Sequence, residues 1–149
     1  MLRAGLACLL ATIALVGGWT LIGGAAQGQL VFKTVWDKKY FTEGSEMKKA
    51  YMTSNCNFCH IGGTEDRKHL NDYGKALGKL LNAEDAKNYT ISVKLKNPDL
   101  YKKTGEKILK AFEMVEKQHS DPNDKASPTF GELIRTGKLP KSPDKLPEK

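Results

Sequence analysis

Cysteine is scarce in this sequence, so a network of disulfide bonds cannot account for its stability. The chain has three cysteines in 149 residues, and only Cys56 and Cys59 lie beyond residue 28. A bridge between these two would close too short a loop to staple a whole domain. No internal repeat of about twenty residues or more is present, which excludes solenoids and propellers. With 40% hydrophobic residues, the chain is not wholly disordered either.

Charged residues are absent between Arg3 and Lys33, and this gap contains a compact apolar run followed by small residues. A short positive start, an apolar middle and a small-residue end predict a secretory signal peptide over residues 1–28. Cleavage is expected after Ala26 or after Gly28. The uncharged stretch is also long enough to span a bilayer, so an uncleaved membrane anchor is the alternative.

Basic residues outnumber acidic ones, with 24 Lys plus Arg against 17 Asp plus Glu. Removal of residues 1–28 takes away only Arg3, which leaves a net charge of +6. This charge suits an acidic protein, anionic lipid or nucleic acid and does not by itself choose among them. Export, together with the absence of interleaved basic and aromatic residues, argues against nucleic acid. We expect a periplasmic or otherwise exported protein, with no membrane contact after signal cleavage and with acidic protein partners.

The sequence motif that carries chemistry is Cys-x-x-Cys-His at residues 56–60. Two thiols three positions apart on a helical turn point to the same side, and a histidine follows at once. This is the attachment pattern of c-type haem, in which the sulfurs add to the two porphyrin vinyl groups and the imidazole reaches the iron. The motif therefore predicts one covalent haem c, held by Cys56 and Cys59, with His60 as an iron ligand.

Three alternatives explain the same residues less well. A zinc site would need His69 and His119 as its remaining ligands, and their spacing is poor. A thioredoxin-like redox pair needs a βαβ context, whereas helical patterns flank this segment. A plain disulfide between the two cysteines would be strained and would leave His60 unexplained.

In residues 56–60, and more loosely in the helical order around them, the chain resembles the small single-haem c-type cytochromes of class I. The resemblance implies an all-α fold with several helices packed around one covalently bound haem, and export before haem attachment. On this interpretation residues 29–137 form the cytochrome c domain, with the haem as the centre of its packing. Residues 138–149 hold three prolines and alternating charge, and they are predicted to be a disordered tail.

Capping residues and apolar periodicity predict the helices of this domain. The predicted helices run from Ser45 to about Asn55, from Leu70 to Leu81, from Asn82 over a short stretch, from Asn97-Pro98 to about His119 with a possible restart at Thr104, and from Thr129 to Arg135. Residues 90–96 alternate between apolar and polar types, which predicts an extended segment laid over the core. Residues 29–41 are apolar at mixed spacing and are compatible with helix or strand.

The second axial ligand of the iron is less well defined than the first. Met114 lies 54 residues after His60, a separation that matches the distal methionine of the class I cytochromes. It falls within a predicted helix, however, and not on the Met-Pro loop that those proteins commonly use. His119 lies on the apolar stripe of the same helix and is the alternative ligand. Met47, His69 and an iron without a second protein ligand also stay open.

A haem iron with both axial positions filled leaves no site for substrate, but the haem edge can still exchange one electron. We therefore expect a one-electron carrier between redox partners, whose positive surface steers it to acidic redox proteins. The alternative is a haem protein that binds a diatomic gas such as nitric oxide at a weakly capped or open iron, or a haem subunit of a larger redox complex. A catalytic haem enzyme is not expected, because the sequence has no second Cys-x-x-Cys-His motif. The oligomeric state stays open.

Overall fold

The structure is a computed structural model that describes residues 30–51, 57–61 and 69–140. Within these ranges the chain forms seven α-helices and no β-strand, which confirms the all-α prediction. The helices are α1 (Leu30–Tyr40), α2 (Glu46–Tyr51), α3 (Asp72–Gly78), α4 (Ala83–Asn88), α5 (Ile91–Lys96), α6 (Pro98–Glu116) and α7 (Phe130–Arg135). None of the helices in the described ranges has the length and hydropathy needed to cross a membrane. The predicted signal peptide lies outside these ranges.

Residues 29–41, whose sequence is compatible with helix or strand, contain helix α1. Phe32, Val35 and Trp36 are its buried residues. Their spacing of three and four positions places them on one side of a helix. This side packs against α6.

Local capping explains where several of the predicted helices begin. Asn82 and Thr129 each open a capping box, in which the side chain accepts a backbone N–H from the third helical residue and that residue's carboxylate accepts one in return. Asn97 accepts the backbone N–H of Leu100, and Pro98 occupies the first turn of α6, where no donor is lost. These three helix starts are confirmed.

Residues 90–96 are helical, so the prediction of an extended segment there is wrong. The hydroxyl of Thr90 accepts the backbone N–H of Val93 and caps α5. None of the residues of α5 is fully buried. Alternation in so short a segment predicts a strand only when one face is buried, and here no buried face fixes the register.

Helix α6 is the longest helix in the described ranges, and five of the other helices, α1, α3, α4, α5 and α7, pack against it. It runs without a restart at Thr104, whose hydroxyl donates to the carbonyl of Leu100 at 2.8 Å inside the helix. The helix ends at Glu116 and therefore does not reach His119 as predicted. A buried stripe of Ile108, Ala111, Phe112 and Val115 faces the other helices.

Aromatic rings from three helices and the cysteine motif form the centre of the core. Phe58, from the motif, lies edge-on to Tyr73 with ring centres 4.4 Å apart, and Trp36 lies 4.7 Å from Phe58. The ring of Phe130 in α7 also lies roughly perpendicular to that of Tyr73, with ring centres 5.2 Å apart. The described part of the motif is therefore built into the core and does not project from it.

The chain after α7 returns towards α2. Gly137 has a φ of 67°, and a Cβ there would lie 2.7 Å from the carbonyl oxygen of Glu46, so this turn requires glycine. The backbone N–H of Lys138 donates to the carbonyl of Leu133, and Leu139 packs against the core. Residues 141–149 of the predicted tail lie outside the described ranges.

Candidate haem attachment site

The structure describes residues 57–61 of the motif region, whereas Cys56 lies outside the described residues. Phe58 and His60 are buried, with 1% and 4% of their surface exposed. Cys59 is half-buried and packs against the core cluster. The second thiol and the histidine thus lie where the loop meets the apolar interior.

A single residue, Asn71, binds three consecutive carbonyl groups of the motif loop. Its side-chain Nδ2 donates to the carbonyls of Asn57 at 3.0 Å and Phe58 at 2.9 Å. Its backbone N–H donates to the carbonyl of Cys59 at 3.0 Å. Asn71 is fully buried, and buried hydrogen bonds of this kind are costly to lose. The loop conformation around Cys59 is therefore fixed by helix α3, which Asn71 precedes.

The same side chain also caps α3, because Oδ1 of Asn71 accepts the backbone N–H of Gly74 at 3.0 Å. Gly74 lies directly against the motif: a Cβ at this position would be 2.2 Å from the carbonyl oxygen of Cys59. No real Cβ approaches an oxygen so closely, and only glycine lets the helix and the loop meet here. We call Asn71 and Gly74 together the motif clamp.

The backbone of His60 is held from the other side by the residues that precede α3. His60 forms an isolated antiparallel bridge with Leu70, and the N–H of Ile61 donates to the carbonyl of His69 at 3.0 Å. Residues 60–61 and residues 69–70 therefore lie side by side. The backbone that carries the buried imidazole is fixed on both sides of His60.

Tyr73 connects the motif to α1 through its hydroxyl group. The indole N–H of Trp36 donates to the Tyr73 hydroxyl at 2.9 Å in the buried core. Burial raises the pKa of Tyr73 well above its usual value. The phenol beside the motif therefore stays neutral at ordinary pH.

The candidates for the second axial ligand lie in different environments. Met114 is on the solvent-facing side of α6 and is 46% exposed. His119 is exposed, with its Nδ1 paired to the carbonyl oxygen of Ser127 at 2.7 Å. Met47 is buried in the same core cluster as Phe58. The structure thus brings neither Met114 nor His119 into the core that holds the motif.

The described ranges contain Cys59, His69 and His119, three of the four donors that the zinc alternative would need. Within those ranges no three Cys, His, Asp or Glu side chains are grouped around a common point that could hold a metal ion. The zinc alternative therefore gains no support from the three donors that the structure describes.

The motif clamp was not predicted from the sequence. A signal for half of it was present, because Asn71 directly precedes the charged first turn of a predicted helix, where asparagine is a favoured cap. The contacts of Asn71 with residues 57–59 had no local signal, since they join segments about a dozen residues apart. Gly74 was likewise unremarkable as one glycine within an apolar periodicity.

The chain matches no protein-family model, no curated protein and no solved structure. The donor set must therefore be judged on its own chemistry. A half-buried thiol, a buried imidazole on the next residue and a loop fixed at three successive carbonyls suit thioether attachment and axial coordination of a haem. The described residues fit that group.

Proposed function

We propose that this chain is an exported c-type cytochrome that carries one electron between redox partners, with a single haem attached through Cys56 and Cys59. His60 is the proposed proximal ligand of the iron and Met114 the proposed second ligand. The observation that carries the proposal is the position of Cys59 and His60, on a loop fixed by Asn71 at the edge of a helical core. Haem bound there supplies the one-electron couple, whose potential depends on the axial ligands, burial and hydrogen bonding.

The chain's own residues orient the donors and shield the imidazole of His60 from water. The motif clamp holds the backbone on which Cys59 and His60 stand, and residues that support a metal ligand in this way fix its orientation. Phe58 and Tyr73 fill the adjacent core, which lowers the local dielectric constant. A fixed backbone and a buried imidazole need little rearrangement when the charge of the site changes, and this suits an electron carrier.

Surface charge supports an acidic partner. Lys49 and Lys75 each form an ion pair with an acid one turn away on their own helix. Lys38, Lys48 and Lys79 are exposed, and no ion pair among the described residues involves them. Uncompensated lysines attract negatively charged surfaces and accelerate the encounter, with an effect that salt weakens.

Covalent attachment is the first test of the proposal. Protein produced with haem-maturation machinery should keep its haem through acidified organic extraction and denaturing electrophoresis, because thioether bonds survive both treatments. The double substitution Cys56→Ala with Cys59→Ala should release essentially all of it. The measurement is haem staining of the gel together with the mass of the intact protein.

Cys8 provides the matched control, because it lies in the predicted signal peptide and is absent from the expected mature chain. Cys8→Ala should leave haem attachment unchanged. If the haem of the unmodified protein extracts freely into organic solvent, the proposed function is wrong.

Binding of a diatomic gas such as nitric oxide is the second candidate function, and the surface position of Met114 favours it. The exposed thioether of Met114 would have to turn inward to reach the iron, and His119 is engaged with Ser127. If neither side chain reaches the iron, its second axial position is open to a small ligand.

Spectroscopy of Met114→Ala separates the two functions. With Met114 as ligand, the oxidised protein should show the weak red absorption of an iron–thioether bond and the reduced protein should bind carbon monoxide slowly. Met114→Ala should abolish the red band and lower the reduction potential, because a thioether favours ferrous iron. His119→Ala is the control and should leave the spectrum unchanged. Rapid carbon monoxide binding by the unmodified protein would instead support the gas-binding function.

A further inference from the structure

Helix α5 presents two large aliphatic side chains to solvent. Ile91 is 71% exposed and Leu95 is 80% exposed, the two highest values among the large hydrophobic residues after residue 30 in the described ranges. They are four positions apart on one helix, so they lie on the same face. Burying both side chains against a partner would remove a substantial apolar area from water.

The charge around this pair is of one sign. Lys87 precedes α5, and Lys94 and Lys96 lie within it. From Lys87 to Asn97 the sequence contains no Asp or Glu. All three lysines are exposed, and in the described part of the chain none of them takes part in an ion pair. We call Ile91, Leu95 and these lysines the α5 face.

The α5 face is held in place by contacts with α6 and does not depend on α5 alone. Tyr89, just before the helix, stacks on Tyr101 of α6 with ring centres 4.2 Å apart and planes 8° from parallel. A Cβ on Gly105 would lie 2.7 Å from the Tyr89 ring, so the absence of a side chain there makes room for the stack. The ammonium group of Lys94 lies 5.7 Å from the centre of the Tyr101 ring.

The composition of the α5 face favours a lipid surface over a protein. Protein interfaces concentrate their binding energy in Trp, Tyr and Arg, and they are depleted in Lys. Here the two tyrosines stack on each other, and the exposed groups are lysines and aliphatic side chains. A short helix with aliphatic residues on one side and flexible lysines beside them is typical of segments that lie in the interface of anionic bilayers.

We propose that the α5 face docks the protein on an anionic bilayer surface, with Ile91 and Leu95 entering the headgroup region. Lys87, Lys94 and Lys96 then lie against lipid phosphates. From the sequence we expect no membrane contact after signal cleavage. Because residues 90–96 are helical, the α5 face leads us to depart from that expectation. The docking goes beyond the proposed electron transfer and does not depend on the ligands of the iron.

Vesicle sedimentation of the mature, haem-loaded protein tests the docking. The protein should bind vesicles of 30% phosphatidylglycerol in phosphatidylcholine and should not bind pure phosphatidylcholine. Each lysine close to such a surface contributes about fivefold to partitioning. The triple substitution Lys87→Gln, Lys94→Gln and Lys96→Gln should therefore weaken binding by about a hundredfold. Ile91→Ser with Leu95→Ser should weaken it by about tenfold or more.

A triple substitution of Lys117, Lys125 and Lys138 to Gln is the matched control. Lys117 caps the far end of α6, Lys125 belongs to the loop that follows it, and Lys138 lies beyond α7. The control removes the same charge and should keep most of the vesicle binding. Equal losses in both triple variants would mean that net charge alone binds lipid and would overturn the proposal.

Two further outcomes would assign the α5 face to another occupant and also overturn the proposal. Binding to poly-L-glutamate without binding to vesicles, lost in the Ile91→Ser, Leu95→Ser variant, would indicate an acidic polypeptide partner. A concentration-dependent dimer in sedimentation velocity that the same variant abolishes, again without vesicle binding, would indicate a second copy of the chain. Circular dichroism of each variant should match that of the unmodified protein, because these side chains are exposed.

Discussion

Gly74→Ala should destabilise the protein by about 3 kcal/mol and lower the yield of covalently attached haem. The added methyl group would lie 2.2 Å from the carbonyl oxygen of Cys59 and 3.0 Å from Leu70. Because the nearest atom belongs to the backbone, helix α3 or the motif loop must move, and overpacking of this kind costs up to about 3 kcal/mol. Movement of the loop would also displace Cys59 from the position at which the proposed thioether bond would form.

The sign of this effect distinguishes the motif clamp from ordinary helix packing. Helix propensity alone would favour alanine over glycine by about 1 kcal/mol. Denaturant unfolding of the haem-loaded protein should nevertheless show a lower midpoint, and the thermal midpoint should fall by about 10 °C. An unfolding midpoint equal to or above that of the unmodified protein would contradict the close contact between Gly74 and Cys59.

Gly44→Ala is the control, because Gly44 has a different reason to be glycine. Its φ is 79° and nothing lies within 4 Å of a Cβ built there. The substitution should cost about 1 kcal/mol through backbone strain alone. The yield of covalent haem should stay unchanged, since a Cβ at Gly44 has nothing within 4 Å.

Elements whose signals lie within a few residues of sequence could be predicted. The capping boxes at Asn82 and Thr129 are local arrangements, and the cap at Asn97 with the following proline is equally local. The periodicity after Leu70 likewise predicted α3. At each of the three caps the side chain and the backbone group that it binds are at most three residues apart, so no knowledge of the rest of the fold is needed.

Features that depend on tertiary contacts could not be predicted. The alternation at residues 90–96 resembles that of a strand, but the segment packs on α6 as helix α5, and this contact has no signal in the local sequence. His119 would continue the apolar stripe of α6 only if the helix reached it. The helix ends at Glu116, and His119 pairs instead with the carbonyl of Ser127. A shift of three residues in a helix end thus changes the environment of a candidate ligand.

The same distinction between local signals and tertiary contacts applies to the candidate site. The motif at residues 56–60 predicts haem chemistry from five adjacent residues, and this remains a prediction. The support that Asn71 and Gly74 give to the motif arises from contacts between separate segments, which no periodicity encodes. The position of Met114 on the flank of a helix could be read from the sequence, but its exposure to solvent depends on which helices cover that flank.

Raising the pH above about 10 should destabilise the folded protein through Tyr73 and Tyr40. Burial raises the pKa of Tyr73 well above 10. Burial, followed by a hydrogen bond to the carboxylate of Glu116, raises that of Tyr40. Glu113 adds negative charge near Tyr40, whereas Lys39 forms ion pairs with both glutamates.

The direction of the effect follows from proton binding. Above pH 10 the unfolded chain releases the phenol protons, whereas the folded protein keeps them. Each unit of pH above 10 therefore lowers the free energy of unfolding. The contribution of these phenols to stability is complete below pH 10 and is lost as the pH rises towards their folded pKa values. Fully buried Tyr73 accounts for about 1.4 kcal/mol per pH unit. Tyr40 is partly exposed and screened by solvent, and it accounts for about half as much.

Urea unfolding at pH 8, 10, 11 and 12, with and without Tyr73→Phe, measures this contribution. At pH 8 the variant should be less stable by about 1–2 kcal/mol, because the substitution removes the acceptor of the Trp36 indole N–H. Above pH 10 the free energy of unfolding of the variant should fall by about 1.4 kcal/mol less per pH unit than that of the unmodified protein. Tyr89, whose pKa is raised to about 12 mainly by its hydrogen bond with Tyr101, titrates alike in both proteins and cancels in the comparison. If the free energy of unfolding falls equally steeply with pH in both proteins above pH 10, Tyr73 titrates in the folded protein as it does in the unfolded chain. The Tyr73 ring would then not be enclosed beside the cysteine motif.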